Sequence, residues 1–178
     1  EKNESVSMQI INDTSAMIPE PCVATIGFFD GVHMGHRYLI QQVKEIAAAK
    51  GLRSALVTFP VHPRKVMNAA YHPELLTTPE EKTNLLAGTG VDYCLMLDFT
   101  PDISRLTAKE FMTQILKERF QVKYLVIGYD HRFGHNRSEG FDDYVRYGQA
   151  IGIEVIRAQA YTDDIQLSLI HISEPTRP

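Results

Sequence analysis

Five short stretches along the chain are rich in apolar residues and have the length of β-strands. They span residues 23–28, 54–59, 93–97, 125–127 and 154–156. The apolar residues within them are nearly continuous, whereas a strand with one face in water alternates apolar and polar positions. The pattern therefore predicts strands that are buried on both faces, which is typical of a parallel sheet covered by helices.

Amphipathic helices are predicted between these strands. The apolar residues at positions 39, 40, 43, 46 and 47 recur at helical spacing, and Gly51 marks the end of that helix. Two further helices are predicted to begin after Thr78 and Thr107, because each threonine is followed three residues later by a glutamate, as in a capping box. Another helix is predicted after Gly140.

The alternation of strands and helices predicts the α/β fold class, with a parallel sheet of about five strands and helices on both faces. Ligands of such sheets bind at the carboxyl ends of the strands, close to the point where the strand order reverses. The loops that contain histidine, aspartate and aromatic residues follow predicted strands, so we expect these loops to meet at one edge of the sheet.

Composition and charge narrow the classes of partner. The chain has 178 residues, of which 18 are basic and 22 acidic, so the net charge is −4. No basic cluster stands out, which disfavours a nucleic-acid partner, and no apolar run approaches the roughly 18 residues of a membrane span. The two cysteines, Cys22 and Cys94, stand apart in apolar stretches, which argues against a disulfide framework and predicts a cytoplasmic protein.

The segment GFFDGVHMGH carries the first candidate chemistry, since it connects a predicted strand to a predicted helix. Gly27 and Gly31 allow tight turns of the backbone, and Gly35 allows a ligand to approach the chain closely. The N-terminus of a helix presents free N–H groups and a partial positive charge, both of which favour phosphate. His33 and His36, three residues apart, can both donate hydrogen bonds to one anion at that end.

Besides phosphate binding, these histidines have two other interpretations, a structural one and a zinc site. His33 and His36 are either phosphate ligands or ordinary capping and surface residues, and their position after a strand and a Phe-Asp-Gly turn favours phosphate. A zinc site is the other alternative, with His33, His36, His62 and His72 as its ligands. The spacing of these four histidines does not force them together.

The longer string Gly-Phe-Phe-Asp-Gly-Val-His-Met-Gly-His resembles the His-x-Gly-His signature of the nucleotidyltransferase superfamily. In this form it is similar to the FMN adenylyltransferase (FAD synthetase) module of bacterial bifunctional riboflavin kinase/FAD synthetases. Three further segments resemble that module: VTFPVHPRKVM, with Val61 where proline is usual; LLTTPEEKTNLL; and VIGYDHRFGHNRSEG, with His131 where phenylalanine is usual. The resemblance extends from about residue 22 to about residue 161.

The resemblance implies a Rossmann-like nucleotidyltransferase fold and the transfer of AMP from ATP to FMN, giving FAD and pyrophosphate by direct in-line displacement with Mg²⁺. It implies that His33 and His36 are catalytic and contact the phosphates of ATP. The other positions implied for the nucleotide are Gly27, Phe28, Asp30 and Gly35. The positions implied for the flavin are Phe59, His62, Pro63, Asp130 and Phe133.

Several of these residues have a second interpretation. Asp30 either helps to hold Mg²⁺ or serves the turn, and Phe59 either lines a slot for the flavin ring or packs in the core. Arg64 and Lys65 are either solvated charges or phosphate ligands. Two further pairs receive structural roles: a helix surface for Glu81 and Lys82, and packing for Tyr93 and Phe99.

The end of the chain departs from the family pattern. We expect a nucleotide-binding Ser-Ser/Thr-x-Ile-Arg motif beyond this region, but IQLSLIHISEPTRP stands in its place. We therefore assign residues 1–166 to the FMN adenylyltransferase domain and residues 167–178 to a non-native or truncated tail. We expect the riboflavin kinase domain that normally follows to be absent from this sequence. The rival functions are another His-x-Gly-His nucleotidyltransferase acting on a small molecule, and a catalytically idle module that binds flavin or nucleotide.

Overall fold

Six parallel β-strands form one sheet in a computed structural model of the protein, which describes residues 8–12, 18, 20–29, 34–59, 79–98, 100–128 and 139–159. The strand order is β1-β4-β3-β2-β5-β6, and every neighbouring pair is parallel. The strands are β1 (Gln9–Ile11), β2 (Cys22–Ile26), β3 (Arg53–Thr58), β4 (Tyr93–Met96), β5 (Val122–Ile127) and β6 (Glu154–Arg157).

The connections between the strands contain helices. These are α1 (Met34–Lys50), α2 (Pro79–Ala87), α3 (Pro101–Ser104), α4 (Ala108–Phe111), which continues into a π-helical segment (Met112–Lys117), and α5 (Phe141–Ile151). At the start of α4, the hydroxyl of Thr107 accepts a hydrogen bond from the amide of Glu110, while the Glu110 carboxylate accepts one from the amide of Thr107. The predicted capping box is confirmed there, whereas Thr78 lies outside the described residues.

Apolar side chains cover both faces of the sheet, which explains why the strands have continuous apolar sequences. In β2, Ala24 and Ile26 point to a cluster that also contains Phe111 from α4. Val23 points to the opposite face and packs with Val43 from α1. The predicted parallel sheet with helices on both faces is thus confirmed.

Like the four-residue helix α3, strand β1 is an element that the sequence did not predict. It has three residues and pairs with β4 at the edge of the sheet, where Ile10 is 41% exposed. A three-residue strand with a partly exposed surface is too short to give a recognisable hydrophobic period.

The amino ends of β3 and β4 are joined by a polar network. The Tyr93 hydroxyl donates to the carboxylate of Glu20 at 2.8 Å, and Arg53 lies 3.3 Å from the same carboxylate. Asp92 accepts hydrogen bonds from the amide and the hydroxyl of Ser54. Burial, followed by the contact with Glu20, raises the pKa of Tyr93 to about 12. This edge is therefore held by structural contacts, and it is the edge opposite to the candidate site.

No helix in the described part of the chain combines the length and the apolar composition needed to cross a membrane.

Candidate active site

The carboxyl ends of β2 and β3 and the first turn of α1 hold the predicted site residues that the structure describes. From β2 the chain continues to β3 and β4 on one side of the sheet, and it later returns to place β5 on the other side of β2. The strand order reverses at β2, and such a switch point leaves a crevice outside the carboxyl ends of the strands. The described site residues are Gly27, Phe28 and Phe59, which directly follow β2 or β3, and Gly35 and His36, which lie in the first turn of α1.

The backbone turns sharply where it leaves β2. Phe29 has a φ of 57°, in the left-handed region that bulky residues rarely adopt. Its ring is nonetheless buried, at 2% exposure, in a cluster with Ile40 of α1, Leu56 of β3 and Leu86 of α2. Packing of this ring offsets the backbone strain, and it fixes the direction in which the chain leaves the sheet.

His36 lies in the first turn of α1, half-buried, against the ring of Phe29. The two ring centroids are 5.3 Å apart, and the rings meet edge to face at 77°. The first turn of α1 contains no acidic residue, so no carboxylate within that turn offsets the positive end of the helix dipole. The arrangement therefore places an imidazole and a positive helix end together, next to the end of the central strand.

Two phenylalanine rings pack together at the ends of β2 and β3. The centroids of Phe28 and Phe59 are 5.1 Å apart with the rings tilted by 39°. Phe59 is only 5% exposed and belongs to the main core cluster, while Phe28 is half-buried. This burial shows a packing role for Phe59, and its contact with flavin stays a prediction.

Lys82 corrects the assignment of the Glu81-Lys82 pair to the surface of a helix. Glu81 is exposed as predicted, but Lys82 is 1% exposed. Its Nζ donates hydrogen bonds to the backbone carbonyls of Phe28 at 2.7 Å and Phe59 at 2.8 Å. The signal in the sequence was its spacing, because Lys82 lies four residues before Leu86 and therefore on the apolar face of α2.

Comparison with known proteins identifies the family. Residues 15–168 match the family model described as FAD synthetase. The chain belongs to the FAD synthetase family. This match covers the described site residues at the ends of β2 and β3, and it confirms the resemblance drawn from the four sequence motifs.

Curated relatives of this FAD synthetase family member are named bifunctional riboflavin kinase/FMN adenylyltransferase. The protein of Escherichia coli strain K12 is 35% identical over 153 residues, which is 86% of this chain and 49% of the relative. The protein of Listeria monocytogenes is 36% identical over 126 residues, which is 70% of this chain and 40% of the relative. The chain thus spans about half the length of the curated relatives it matches.

A solved structure described as a macrolide-efflux protein from Streptococcus pneumoniae has the same fold. It superimposes with a TM-score of 0.72 at 28% sequence identity, covering 85% of this chain and 58% of the other. The likeness extends over most of the present chain and supports the α/β architecture.

Six predicted site residues of this family member lie outside the described residues: Asp30, His33, His62, Pro63, Asp130 and Phe133. His72 of the zinc alternative, Phe99, and the predicted tail at 167–178 lie outside them as well. Their roles stay predictions.

An open cleft of about 730 Å³ lies near the same edge of the sheet, beside α2. Its lining includes Glu80 and Asn84 from α2 and Asp98, which follows β4. None of the site residues that the structure describes lines this cleft, and the sequence did not indicate it.

Proposed function

We propose that this chain transfers the adenylyl group of ATP to FMN, giving FAD and pyrophosphate. The observation that carries the proposal is the match of residues 15–168 to the FAD synthetase family. The relatives' names include FMN adenylyltransferase, and the geometry at the end of β2 suits phosphate chemistry. The proposal concerns adenylyl transfer only.

The proposed step is a single displacement at phosphorus. An oxygen of the FMN phosphate attacks the α-phosphorus of ATP and forms a new P–O bond. The bond between the α-phosphorus and the oxygen that bridges to the β-phosphate breaks, and its electron pair stays on the departing pyrophosphate. No nucleophile with a partnered base is evident in the sequence, so a direct transfer is preferred to a covalent enzyme intermediate.

In this step the protein aligns the reactants and stabilises charge on the leaving group. We assign His36 to the phosphates that become pyrophosphate, since its imidazole lies in the first turn of α1 at the positive end of that helix. Its Nδ1 atom is buried, so the proposed donor to phosphate is Nε2. His33 is assigned to the same phosphates by the His-x-Gly-His motif. Gly35 leaves space at the helix end for the nucleotide to approach the backbone.

Mg²⁺ is the proposed cofactor, with Asp30 and phosphate oxygens as its ligands. Asp30 is the one carboxylate in the sequence between residues 24 and 44, and no acidic residue occurs in the first turn of α1. This donor set fits Mg²⁺, which often uses one or two carboxylates together with oxygens of the substrate. When bound, the ion neutralises charge on the phosphates.

The flavin is proposed to bind beside the nucleotide, at positions that follow β3 and β5. These positions are Phe59, His62, Pro63, Asp130 and Phe133. The described part of this set is Phe59, whose ring packs against Phe28 at the end of β2.

We also propose that a riboflavin kinase domain accompanies this domain in the full-length protein, as the names of the relatives indicate. We further propose that the protein is cytoplasmic, since Cys22 and Cys94 are free thiols.

One observation favours a second candidate function, a module that binds its ligands without turning them over. The sequence IQLSLIHISEPTRP stands where the family pattern has its Ser-Ser/Thr-x-Ile-Arg motif. Loss of the hydroxyl and guanidinium groups of that motif would remove phosphate contacts. Binding of FMN and ATP without chemistry would then remain.

Incubation of the chain with ATP, Mg²⁺ and FMN tests the proposal. We expect FAD and pyrophosphate in equal amounts, measured by chromatography and a coupled pyrophosphate assay. A matched protein carrying an intact family C-terminus serves as the control for the altered ending. If neither protein forms FAD, the proposed function is wrong; if only the control does, the chain is the idle module. Turnover of another phosphorylated substrate in place of FMN would identify a different nucleotidyltransferase.

A further inference from the structure

The ammonium group of Lys82 is buried at the point where two strands end. Lys82 extends from α2 toward the sheet, and its Nζ lies 2.7 Å from the Phe28 carbonyl oxygen and 2.8 Å from that of Phe59. A buried ammonium is costly unless hydrogen bonds replace its hydration. Both of these acceptors are backbone oxygens, so the lysine holds the backbone at Phe28 and Phe59 in position.

These two carbonyls lie just beyond the last ladder contacts of β2 and β3. The amide of Gly27 still donates to the carbonyl of Val57 at 3.0 Å, and that of Leu97 donates to the carbonyl of Thr58 at 2.8 Å. One residue later on each strand, the Phe28 and Phe59 carbonyls bind the same ammonium group. Lys82 therefore connects the segments that follow β2 and β3, past the last hydrogen bonds of the sheet.

The carbonyl of Phe28 has a second donor. The hydroxyl of Thr58 lies 3.1 Å from it, so Thr58 and Lys82 both donate to one oxygen. A carbonyl oxygen has two lone pairs, and two donors hold the orientation of its peptide plane. That peptide links Phe28 to Phe29, the residue with the left-handed φ of 57°.

A continuous series of contacts then leads from Lys82 to the N-terminus of α1. Lys82 orients the peptide that precedes Phe29, and the buried ring of Phe29 lies edge to face against His36, with 5.3 Å between the centroids. We infer that Lys82 is a positioning residue: by holding the carbonyls of Phe28 and Phe59 together, it sets the position of Phe29 and, through the contact between the two rings, that of His36. The inference rests on the proposed adenylyl transfer for its effect on turnover.

Lys82→Met tests this inference because methionine keeps much of the side-chain volume and removes all three donors. Misplacement of a substrate-binding segment by about 1 Å can cost about 100-fold in rate, so we expect kcat for FAD formation to fall by about 10- to 100-fold. Amide hydrogen exchange should also become faster in the peptides that cover residues 26–40. Lys82→Arg retains donors and a charge, so its kcat should lie above that of Lys82→Met.

Leu116→Ala is the matched control for lost stability. Leu116 is also fully buried but belongs to the cluster on the other face of the sheet. Each kcat is measured on folded protein, well below the unfolding temperature. A Lys82→Met variant that is less stable, yet matches Leu116→Ala in kcat and in exchange over residues 26–40, would overturn the inference.

Two further measurements cover the remaining outcomes. If the unmodified chain forms no FAD, the proposed function fails, and the exchange comparison alone decides whether Lys82 holds the segment in place. If Lys82→Met does not fold, Thr58→Val removes the other donor to the Phe28 carbonyl. It should then show a smaller fall in kcat and faster exchange over residues 26–40, and an unchanged kcat with unchanged exchange would contradict the inference.

Discussion

His36 lies where a helix terminus, a buried aromatic ring and the end of the central strand meet. The edge-to-face contact with the Phe29 ring fixes the imidazole in the first turn of α1. A donor that is already oriented toward a developing charge needs no reorganisation during the reaction, and this pre-organisation is the source of its effect on rate.

Replacement of His36 by alanine should therefore affect turnover far more than folding. Removal of one oriented donor to a developing anion costs about 100- to 1,000-fold in kcat, whereas loss of a half-buried ring in the first turn should lower the free energy of unfolding by about 1 kcal/mol. Steady-state FAD formation and urea denaturation measure the two quantities. Gln41→Ala, an exposed position on the same helix, is the control and should leave kcat unchanged. A fall in kcat that is no larger than the loss of stability explains would show that His36 has a structural role only.

At this scale, the sequence predicted residues with a local signature and missed those that depend on tertiary contacts. His36 was predicted because its motif lies between a strand and a helix. Phe29 has no signature for its left-handed backbone, since the conformation is held by packing against residues distant in the chain. Lys82 was misassigned because a lysine on an apolar helix face is buried only when acceptors such as the Phe28 carbonyl lie within reach.

Helix α5 approaches β6 more closely than a side chain would permit. A Cβ atom on Gly148 would overlap the carbonyl oxygen of Ile153 and lie 2.9 Å from Cγ2 of Val155. The amide of Ile153 donates to the carbonyl of Gly148 at 2.9 Å, so the same contact closes the helix end. The absence of a side chain at Gly148 is what lets α5 turn directly into β6.

Gly148→Ala should consequently destabilise the protein. The added methyl meets backbone, which cannot move aside cheaply, and such overpacking costs about 1–3 kcal/mol of the free energy of unfolding. Gly88→Ala is the matched control, because a Cβ there meets its nearest atom at an ordinary 3.4 Å. Thermal and urea denaturation compare the two variants, and equal stability of both would show that α5 does not need this close approach.

The buried Tyr93 at the amino ends of the strands should make the protein less stable at alkaline pH. The pKa of Tyr93 is raised from 10 to about 12, chiefly by burial and then by its hydrogen bond to Glu20. Between these two values the unfolded chain loses the tyrosine proton while the folded protein keeps it, so the free energy of unfolding falls as the pH rises. Below about pH 10 the contribution is fully present. Tyr93→Phe should flatten this decline in denaturation measured from pH 9 to pH 12, and an unchanged slope would contradict the assignment.

Elements with a strong hydrophobic pattern were predictable, and weak or irregular ones were not. Strands β2 to β5 follow from buried apolar runs, and the start of α4 follows from the Thr107–Glu110 capping box. Strand β6 was also predicted, but its burial was not confirmed, because it is the last strand of the sheet and its residues are half-buried or exposed. Strand β1 has three residues, and the π-helical segment Met112–Lys117 differs from an α-helix only in how its hydrogen bonds are made. Neither feature changes the spacing of apolar residues enough to appear in the sequence.

Across the whole molecule, the amino ends and the carboxyl ends of the strands hold different kinds of residue. The amino edge holds the network of Glu20, Arg53 and Asp92 around Tyr93. The carboxyl edge holds the candidate site, where Lys82, Phe29 and His36 succeed one another in space. The sequence predicted a parallel sheet and a site at one edge, but the strand order depends on long-range pairing that leaves no local pattern.

The most direct test of this account is a crystal structure of the protein soaked with ATP, Mg²⁺ and FMN. We expect the triphosphate at the N-terminus of α1, with a phosphate oxygen within about 3.2 Å of an imidazole nitrogen of His36. Nucleotide density in the cleft beside Glu80, Asn84 and Asp98, with His36 making no phosphate contact, would contradict the central claim.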